Sequence, residues 1–217
     1  VDFLHMRDTY TPIVFAFVLG LSFLLLLVVF RSLVIATKAI VMNLLSVGAA
    51  YGLLVWVFQE GHLTGFFGFQ RVDAIEAWLP LFLFSILFGL SMDYHVFLLS
   101  RTKEAYDHTH RNRESVAIGL QRTARIITGA ALIMVSVFAG FAAGSLVFLQ
   151  QVGFGLGVAV LLDATIVRSV LVPSAMALLG DRNWYLPKWL HWLPEVHLEG
   201  PADVPEPVEV PEGAVAD

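Results

Sequence analysis

Residues 12–30 read PIVFAFVLGLSFLLLLVVF, an apolar stretch without a single charged side chain. A helix needs about 20 mostly apolar residues to cross the hydrocarbon core of a bilayer. The stretch therefore predicts a transmembrane helix. It is too long for a cleaved signal peptide, and no small-residue cleavage site followed by a soluble domain comes after it.

The rest of the chain has the composition that such a helix implies. Of the 217 residues, 58% are hydrophobic and 14% are charged, whereas soluble domains are about half apolar and a quarter charged. Four further apolar runs of spanning length follow, at residues 36–58, 78–100, 126–145 and 150–180. The sequence therefore predicts an all-α bundle of five transmembrane helices within residues 12–180, after an extracytoplasmic stub at residues 1–11.

The residues after the bundle divide into two segments. Residues 183–194 are rich in Trp, which predicts a segment at the membrane–water interface. Residues 195–217 hold seven of the 18 acidic residues, repeated Pro and Val, and no Lys or Arg. This composition predicts a disordered acidic tail. Without the tail, the chain has 13 basic and 11 acidic residues, so its body is mildly basic.

Several classes of function are excluded by composition. The chain has no cysteine, which rules out disulfide scaffolds, thiolate zinc sites and thiol catalysis. No basic run is dense enough, and no mixing of aromatic and basic residues broad enough, to indicate nucleic-acid binding. We expect the lipid bilayer as a partner, and we expect no nucleic acid, metal, cofactor or catalytic residue.

The basic residues predict one orientation in the membrane. Ten of the 13 lie in connections on one side of the predicted bundle: Arg31, Lys38, Arg101, Lys103, Arg111, Arg113, Arg122, Arg125, Arg182 and Lys188. The opposite side carries Arg7 and Arg71 alone. Because short cytoplasmic loops hold the excess of Lys and Arg, the N-terminus is predicted to lie outside and the C-terminus in the cytoplasm.

Residues 112–123, between the third and fourth spans, have an amphipathic pattern. Val116, Ala117 and Leu120 fall on one side of a helix, and charged residues such as Arg113 and Glu114 fall elsewhere. This pattern predicts a separate helix that lies along the cytoplasmic surface of the membrane.

Three ionisable residues fall inside the predicted spans, where a charge costs about 2.5 to 3.5 kcal/mol at the helix centre. Asp93, beside Tyr94, lies in the inner half of the third span, and Asp163 and Arg168 lie in the fifth. The depth of Asp93 favours a carboxylate that exchanges a proton, with Tyr94 sharing its hydrogen bonds. The alternative is an Asp that only fixes helix packing. His95 is one turn from the end of its span, so we expect it at the membrane interface rather than as a proton carrier.

Asp163 and Arg168 are five residues apart, which is about 500° of rotation in an α-helix. They therefore do not share a ridge as an i, i+4 pair would, and each is expected to find its partner on another helix. Asp163 is interpreted equally well as a structural ion-pair partner or as a functional carboxylate, and Arg168 mainly as structural. Ser91 and Thr128 are candidates for polar support within the spans.

Two pairs of glycines predict how the last two spans pack. Gly140 and Gly144 are four residues apart in the fourth span, and Gly153 and Gly157 are four apart in the fifth. Small residues at this spacing let helix backbones approach closely. The fourth and fifth spans are therefore predicted to cross tightly near the outer surface.

Three stretches resemble a known family. They read GLSMDYHVFLLSR at residues 89–101, RIITGAA at residues 125–131, and GFGLGVAVLLDATIVRSVLVP at residues 153–173. They are similar to the second membrane half of transporters of the MMPL family, which belongs to the resistance-nodulation-division (RND) superfamily of exporters. The resemblance runs from about residue 1 to the end of the fifth span and leaves out the acidic tail.

The resemblance implies an exporter in the bacterial inner membrane that is driven by the proton gradient and moves lipids or other hydrophobic compounds outward. Asp93 and Tyr94 match the Asp-Tyr pair that carries the proton relay in this family. The five spans would be the last five of twelve, and residues 112–123 would match a cytoplasmic helix between spans. An N-terminal half is then needed as a partner, either from the same polypeptide or from another chain.

Two other functions stay open at this point. A membrane sensor or scaffold of the same superfamily would need no proton flux. An aspartyl intramembrane protease would use Asp93 and Asp163 as a dyad that shares one proton, but the Gly-x-Gly-Asp context of those proteases is absent.

Overall fold

A computed structural model describes residues 2–76, 78–187, 190 and 192, with side chains from Tyr10 onward. In order, the helices are α1 (Asp2–Phe30), α2 (Leu33–Phe58), the short α3 (Thr64–Phe67), α4 (Leu79–Thr109), α5 (Asn112–Ala142) and α6 (Val147–Leu162). A π-helical segment, Asp163–Leu171, continues α6 into α7 (Val172–Leu179), and a 3₁₀ turn, Gly180–Trp184, follows.

The predicted all-α bundle with five spans is confirmed. Over the described part of the chain, five helical stretches are long and apolar enough to cross a membrane: Tyr10–Phe30, Leu33–Phe58, Leu79–Thr109, Asn112–Ala142 and Val147–Trp184. Helix α1 begins at Asp2, so residues 2–11, predicted as a stub, are helical and continuous with the first span. The acidic tail at residues 195–217, and Lys188 among the residues used for orientation, lie outside the described residues.

Two apolar cores are stacked along the bundle. The first, called the lower core here, lies at the end where α1 meets α2 and α4 meets α5, and includes Leu26, Ile35, Ala36, Leu98, Leu99, Val116, Val172 and Met176. The second, the upper core, lies at the end where α5 turns into α6, and includes Leu54, Phe58, Leu79, Leu83, Val152, Leu156 and Ala159. Helices α2, α4 and α5 contribute to both cores, whereas α1 contributes to the lower core and α6 to the upper one, so the residues between the two cores lie at the middle of the bundle.

Helix α5 differs from the prediction made for residues 112–123. These residues form the first turns of α5 and run into the fourth span without a break, instead of forming a separate surface helix. Their apolar and small residues pack on α4: a Cβ added at Gly119 would lie 3.0 Å from the Cα of Thr102. The amphipathic pattern is therefore satisfied by a neighbouring helix rather than by lipid, and Ala117, predicted on the apolar face, is exposed.

The crossing of α5 and α6 depends on the glycines of α6. A Cβ at Gly153 would lie 2.5 Å from the carbonyl oxygen of Phe138, and one at Gly157 would lie 3.5 Å from the Cβ of Phe138. In contrast, a Cβ at Gly140 would meet nothing within 4 Å, and one at Gly144 would meet only the carbonyl of Phe141 in its own turn. Gly140 in α5 and Gly144 just after its end therefore do not make this contact; α6 approaches the backbone of α5 around Phe138 and Phe141.

We expect Gly153→Ala to destabilise the protein and Gly140→Ala to leave it intact. The methyl group at position 153 has no room, and overpacking of this kind costs about 1 to 3 kcal/mol. The methyl group at position 140 meets open space and removes a glycine from a helix interior, which is neutral or slightly stabilising. Thermal unfolding of both variants in detergent measures the difference, and equal melting temperatures would contradict this account of the crossing.

Candidate functional site

A layer of polar side chains lies between the two apolar cores. Asn43 and Ser46 come from α2, Ser91 comes from α4, and Asp163 and Arg168 come from the π-helical segment. All five side chains are buried, and Arg168 is only 2% exposed. Buried charges persist in such surroundings when they are paired and hydrogen-bonded, so the contacts within this polar layer decide what it can do.

Asp163 and Arg168 form an ion pair with each other. Both the Nε and the Nη2 of Arg168 donate to Oδ2 of Asp163, at 2.8 and 2.6 Å. The expectation that each would pair with a different helix is therefore wrong. The reason is the π-helical backbone, in which hydrogen bonds run from i to i+5, so that side chains five residues apart come close to the same face. The expected separation holds only for ordinary α-helical rotation.

Ser91 joins the ion pair to α2. Its hydroxyl lies 2.9 Å from Oδ2 of Asp163 and makes a short contact with Oδ1 of Asn43, while Nη2 of Arg168 donates to its Oγ at 2.9 Å and to its carbonyl oxygen at 2.5 Å. A serine hydroxyl has one hydrogen to donate. It can serve Asn43 or Asp163 but not both, so the layer has two alternative hydrogen-bond arrangements.

Ser46 also contacts the carboxylate of Asp163, because its hydroxyl donates to Oδ1 at 3.5 Å. Neither Asn43 nor Ser46 was predicted as a site residue. The signal was present, since each is a polar residue on the buried side of an otherwise apolar span. A neutral side chain is cheaper to bury than a charge, however, so its presence within a span is a weaker indication of a functional site.

Tyr94 lies against this network. The centre of its ring is 5.0 Å from Cζ of Arg168, a cation–π distance, and its hydroxyl contacts Sδ of Met134 at 3.6 Å. A cavity of about 20 Å³ is lined by Tyr94, Ser91, Asp163 and Arg168 together with apolar side chains. Such a volume is sufficient for one water molecule.

Asp93 points away from the polar layer, although it precedes Tyr94. Its side chain is exposed, does not line the cavity, and makes no hydrogen bond with any residue that the structure describes. The two members of the predicted relay thus face different surroundings, Tyr94 the interior and Asp93 the surface of the bundle. Thr128, predicted as polar support, is also exposed and takes no part in the layer.

The protease interpretation requires two carboxylates that share a proton. Asp163 is instead occupied by Arg168, and Asp93 lies outside the cavity that Asp163 lines. The structure therefore does not bring these two aspartates together as a dyad.

His95 is not at an interface, as the sequence argument expected, but fully buried, with 1% of its surface exposed. The residue is close enough to the end of its span for the expectation to be reasonable. However, α4 continues to Thr109, well past the predicted end of the span, and its lower half packs into the bundle. The position of His95 along the sequence therefore gave the wrong surroundings.

Comparisons with known proteins agree with this architecture. A sequence model described as the MMPL family matches residues 1–193. The chain is 46% identical, over 99% of its length, to the mycolic acid-containing lipids exporter MmpL11 of Mycolicibacterium smegmatis, of which it covers 23%. It is 44% identical over 99% of its length to a protein of Mycobacterium tuberculosis named heme uptake protein MmpL11, covering 23% of it.

A third relative is the trehalose monomycolate exporter MmpL3 of Mycobacterium tuberculosis, which is 38% identical over 91% of this chain. The chain covers 22% of that protein. It thus spans about a quarter of the length of the curated relatives that it matches.

We expect single changes within the ion pair to cost far more stability than the double change. Asp163→Leu or Arg168→Leu leaves one buried charge without its partner, which costs about 3 to 5 kcal/mol, whereas replacing both removes the charges together. Thermal unfolding of the two single variants and the double variant in detergent gives the coupling energy. The control is Asp107→Asn, which removes an exposed pair with Lys103 (2.6 Å) and should cost less than about 1 kcal/mol. Additive losses in the double variant would show that the pair is not coupled.

Proposed function

The chain belongs to the MMPL family of membrane transporters, and from this premise we propose that it is the C-terminal membrane half of a proton-driven exporter of lipids or other hydrophobic compounds. The observation that carries the proposal is the polar layer, a paired Asp163 and Arg168 held between two apolar cores within the spans. Ionisable groups at such depth are expensive and are characteristic of proton and substrate pathways. The names of two relatives, which are lipid exporters, support the class of substrate.

Asp93 is the proton-binding group in this proposal. It is a carboxylate in the third span without a hydrogen-bond partner among the described residues, so proton uptake breaks none of the contacts described here. Protonation removes the charge and with it much of the cost of placing the side chain in an apolar environment. The protonated and charged forms therefore favour different surroundings for the same side chain, which is the requirement for coupling a proton to a change of shape.

Tyr94 transmits that change to the interior. It is adjacent to Asp93 on α4, and its ring lies on the guanidinium of Arg168. A shift of α4 that follows protonation of Asp93 therefore alters the contacts of Arg168 and Ser91 with Asp163. The alternative hydrogen bonds of the Ser91 hydroxyl provide two arrangements between which the layer can switch.

The exposed face around Asp93 is where we place the partner. A charged side chain that faces lipid is unfavourable, and intramembrane charges almost always face the interior of a bundle or a water-filled cavity. We therefore propose that the N-terminal half, from the same polypeptide or from another chain, covers this face. Membership of the MMPL family supports a location in the bacterial inner membrane, and the distribution of Lys and Arg supports an orientation with the C-terminus of this chain in the cytoplasm.

We expect Asp93→Asn to abolish transport while the protein still inserts and assembles. The amide has the shape of the acid but cannot bind and release a proton. The full-length protein that carries this chain is reconstituted in liposomes with a pH-sensitive dye inside, and proton flux is recorded when a hydrophobic substrate is added under a pH gradient. The readout of assembly is the melting temperature in detergent, which should not change.

The matched control is Asp73→Asn, an exposed aspartate in the connection between α3 and α4, which should transport like the wild type. Transport at the wild-type rate by Asp93→Asn would remove Asp93 from the mechanism. Substrate binding without any proton flux in the wild type would indicate a sensor instead of an exporter.

A further inference from the structure

His95 is a buried histidine whose two ring nitrogens have no partner. Its side chain is 1% exposed, and neither Nδ1 nor Nε2 makes a hydrogen bond with any described residue. Leaving a buried polar group unpaired costs about 1 to 3 kcal/mol, and an apolar side chain at this position would avoid that cost. The other two polar residues on the same buried stripe of α4 avoid this cost because they are hydrogen-bonded. Ser91 bonds within the polar layer, and the hydroxyl of Thr102 donates to the carbonyl of Leu98 at 2.9 Å.

The position of His95 lies directly below the polar layer. It follows Ser91 by four residues on α4, which puts the two on the same face with a rise of about 6 Å along the helix axis. Ser91 is the residue of α4 that contacts Asp163 and Arg168. Going from the layer toward the lower end of the bundle along this face, His95 is therefore the next polar side chain.

A second polar cluster lies on the other side of His95, at the lower end of the bundle. Nζ of Lys38 donates to Oδ1 of Asn183 at 3.2 Å, and the hydroxyl of Ser32 donates to the carbonyl oxygen of Asn183. Lys38 and Arg168 are the basic groups that act on the His95 ring, and as positive charges both oppose its protonation. The charge of Arg168 is balanced by Asp163, whereas no described carboxylate contacts Lys38. His95 thus stands between the polar layer above and the Lys38–Asn183 cluster below.

We propose that His95 carries protons between the polar layer and the lower end of the bundle, the end predicted to be cytoplasmic. The inference rests on the proposed function, in which protons are bound at Asp93 and have to leave on the cytoplasmic side. Histidine is the side chain that takes up and releases protons nearest neutral pH, and its two nitrogens are separate positions for the proton.

Proton transfer through His95 needs no reactant other than water. A hydronium ion on the side of the polar layer gives its proton to one ring nitrogen, so that an N–H bond forms and water is left. The N–H bond on the other nitrogen then breaks, and its proton passes to a water molecule on the side of Lys38 and Asn183. Exchange of the remaining proton between the nitrogens, through a turn of the ring, returns the original state. Two unpaired nitrogens fit this role, because a nitrogen held by a permanent hydrogen bond would not be free to exchange.

Replacement of His95 by a side chain that titrates and by one that does not separates this role from packing. His95→Gln keeps polarity and similar size but cannot carry a proton, whereas His95→Glu can. In the full-length protein reconstituted as above, we expect His95→Gln to lower substrate-dependent proton flux by about tenfold or more. His95→Glu should retain part of the flux, with its pH profile moved to lower pH because a carboxyl titrates below an imidazole.

The controls are His108→Gln, an exposed histidine in the last turn of α4, and the melting temperature of each variant, which confirms folding. Wild-type flux in His95→Gln would overturn the proposal, because polarity alone would then suffice. Equal loss of flux in the Gln and Glu variants would also overturn it, since the shape of the ring would then matter and not its titration.

Asp93→Asn measured in parallel separates the two proposals. If His95→Gln keeps its flux and Asp93→Asn loses it, only the role of His95 fails. If both variants keep their flux, or if the wild type shows none, the proposed function fails and the role of His95 fails with it.

Discussion

The ion pair between Asp163 and Arg168 is the constraint around which the bundle is arranged. Two charges inside an apolar interior need close pairing and further hydrogen bonds, which this pair has except at Nη1 of Arg168, an atom without a partner among the described residues. The π-helical segment brings the two side chains to one face, and Ser46 and Ser91 supply further contacts from two other helices. The apolar cores can then close above and below the layer, because no unpaired carboxylate is left between them. The pair requires an irregular backbone, since a π-helix is rarely longer than one turn.

The sequence alone predicts the five-span architecture but not the side-chain contacts inside the bundle. Five spans follow from the length and hydrophobicity of the apolar runs, which are properties of the chain alone. What a side chain meets depends on backbone geometry and on neighbours far along the chain. Asp163 and Arg168 were expected apart because 3.6 residues per turn was assumed, and the π-helical backbone invalidated that assumption. The two glycine pairs show the same limit, because the spacing within each pair is right but Gly140 faces open space while Gly153 faces a backbone.

The separation of Asp93 from Tyr94 follows from helix geometry. Consecutive residues on a helix are about 100° apart, so one can face the bundle interior while the other faces its surface. Tyr94 thereby contacts Arg168, whereas Asp93 lies on the exposed face of α4. The chain spans about a quarter of its relatives' length, and in the proposed exporter the remaining part covers that face. The same geometry explains why Asp93 has no described partner although the residues of the polar layer contact one another.

Helix α4 connects all of these features, and this limits how the protein can move. Along one buried stripe it carries Ser91, His95 and Thr102, at intervals of four and seven residues, and beside that stripe it carries Asp93 and Tyr94. A helix moves as a nearly rigid rod, so a displacement that follows a change at Asp93 is shared by Ser91 and His95. Of the contacts involved, those of Ser91 have an alternative within the layer, and His95 has no hydrogen bond to lose. Thr102 bonds within its own helix, and its contact with Gly119 leaves little space for sliding. A tilt of α4 about its contact with Gly119 should therefore displace Ser91 in the polar layer more than Thr102, which makes the end of the bundle near Gly119 the hinge.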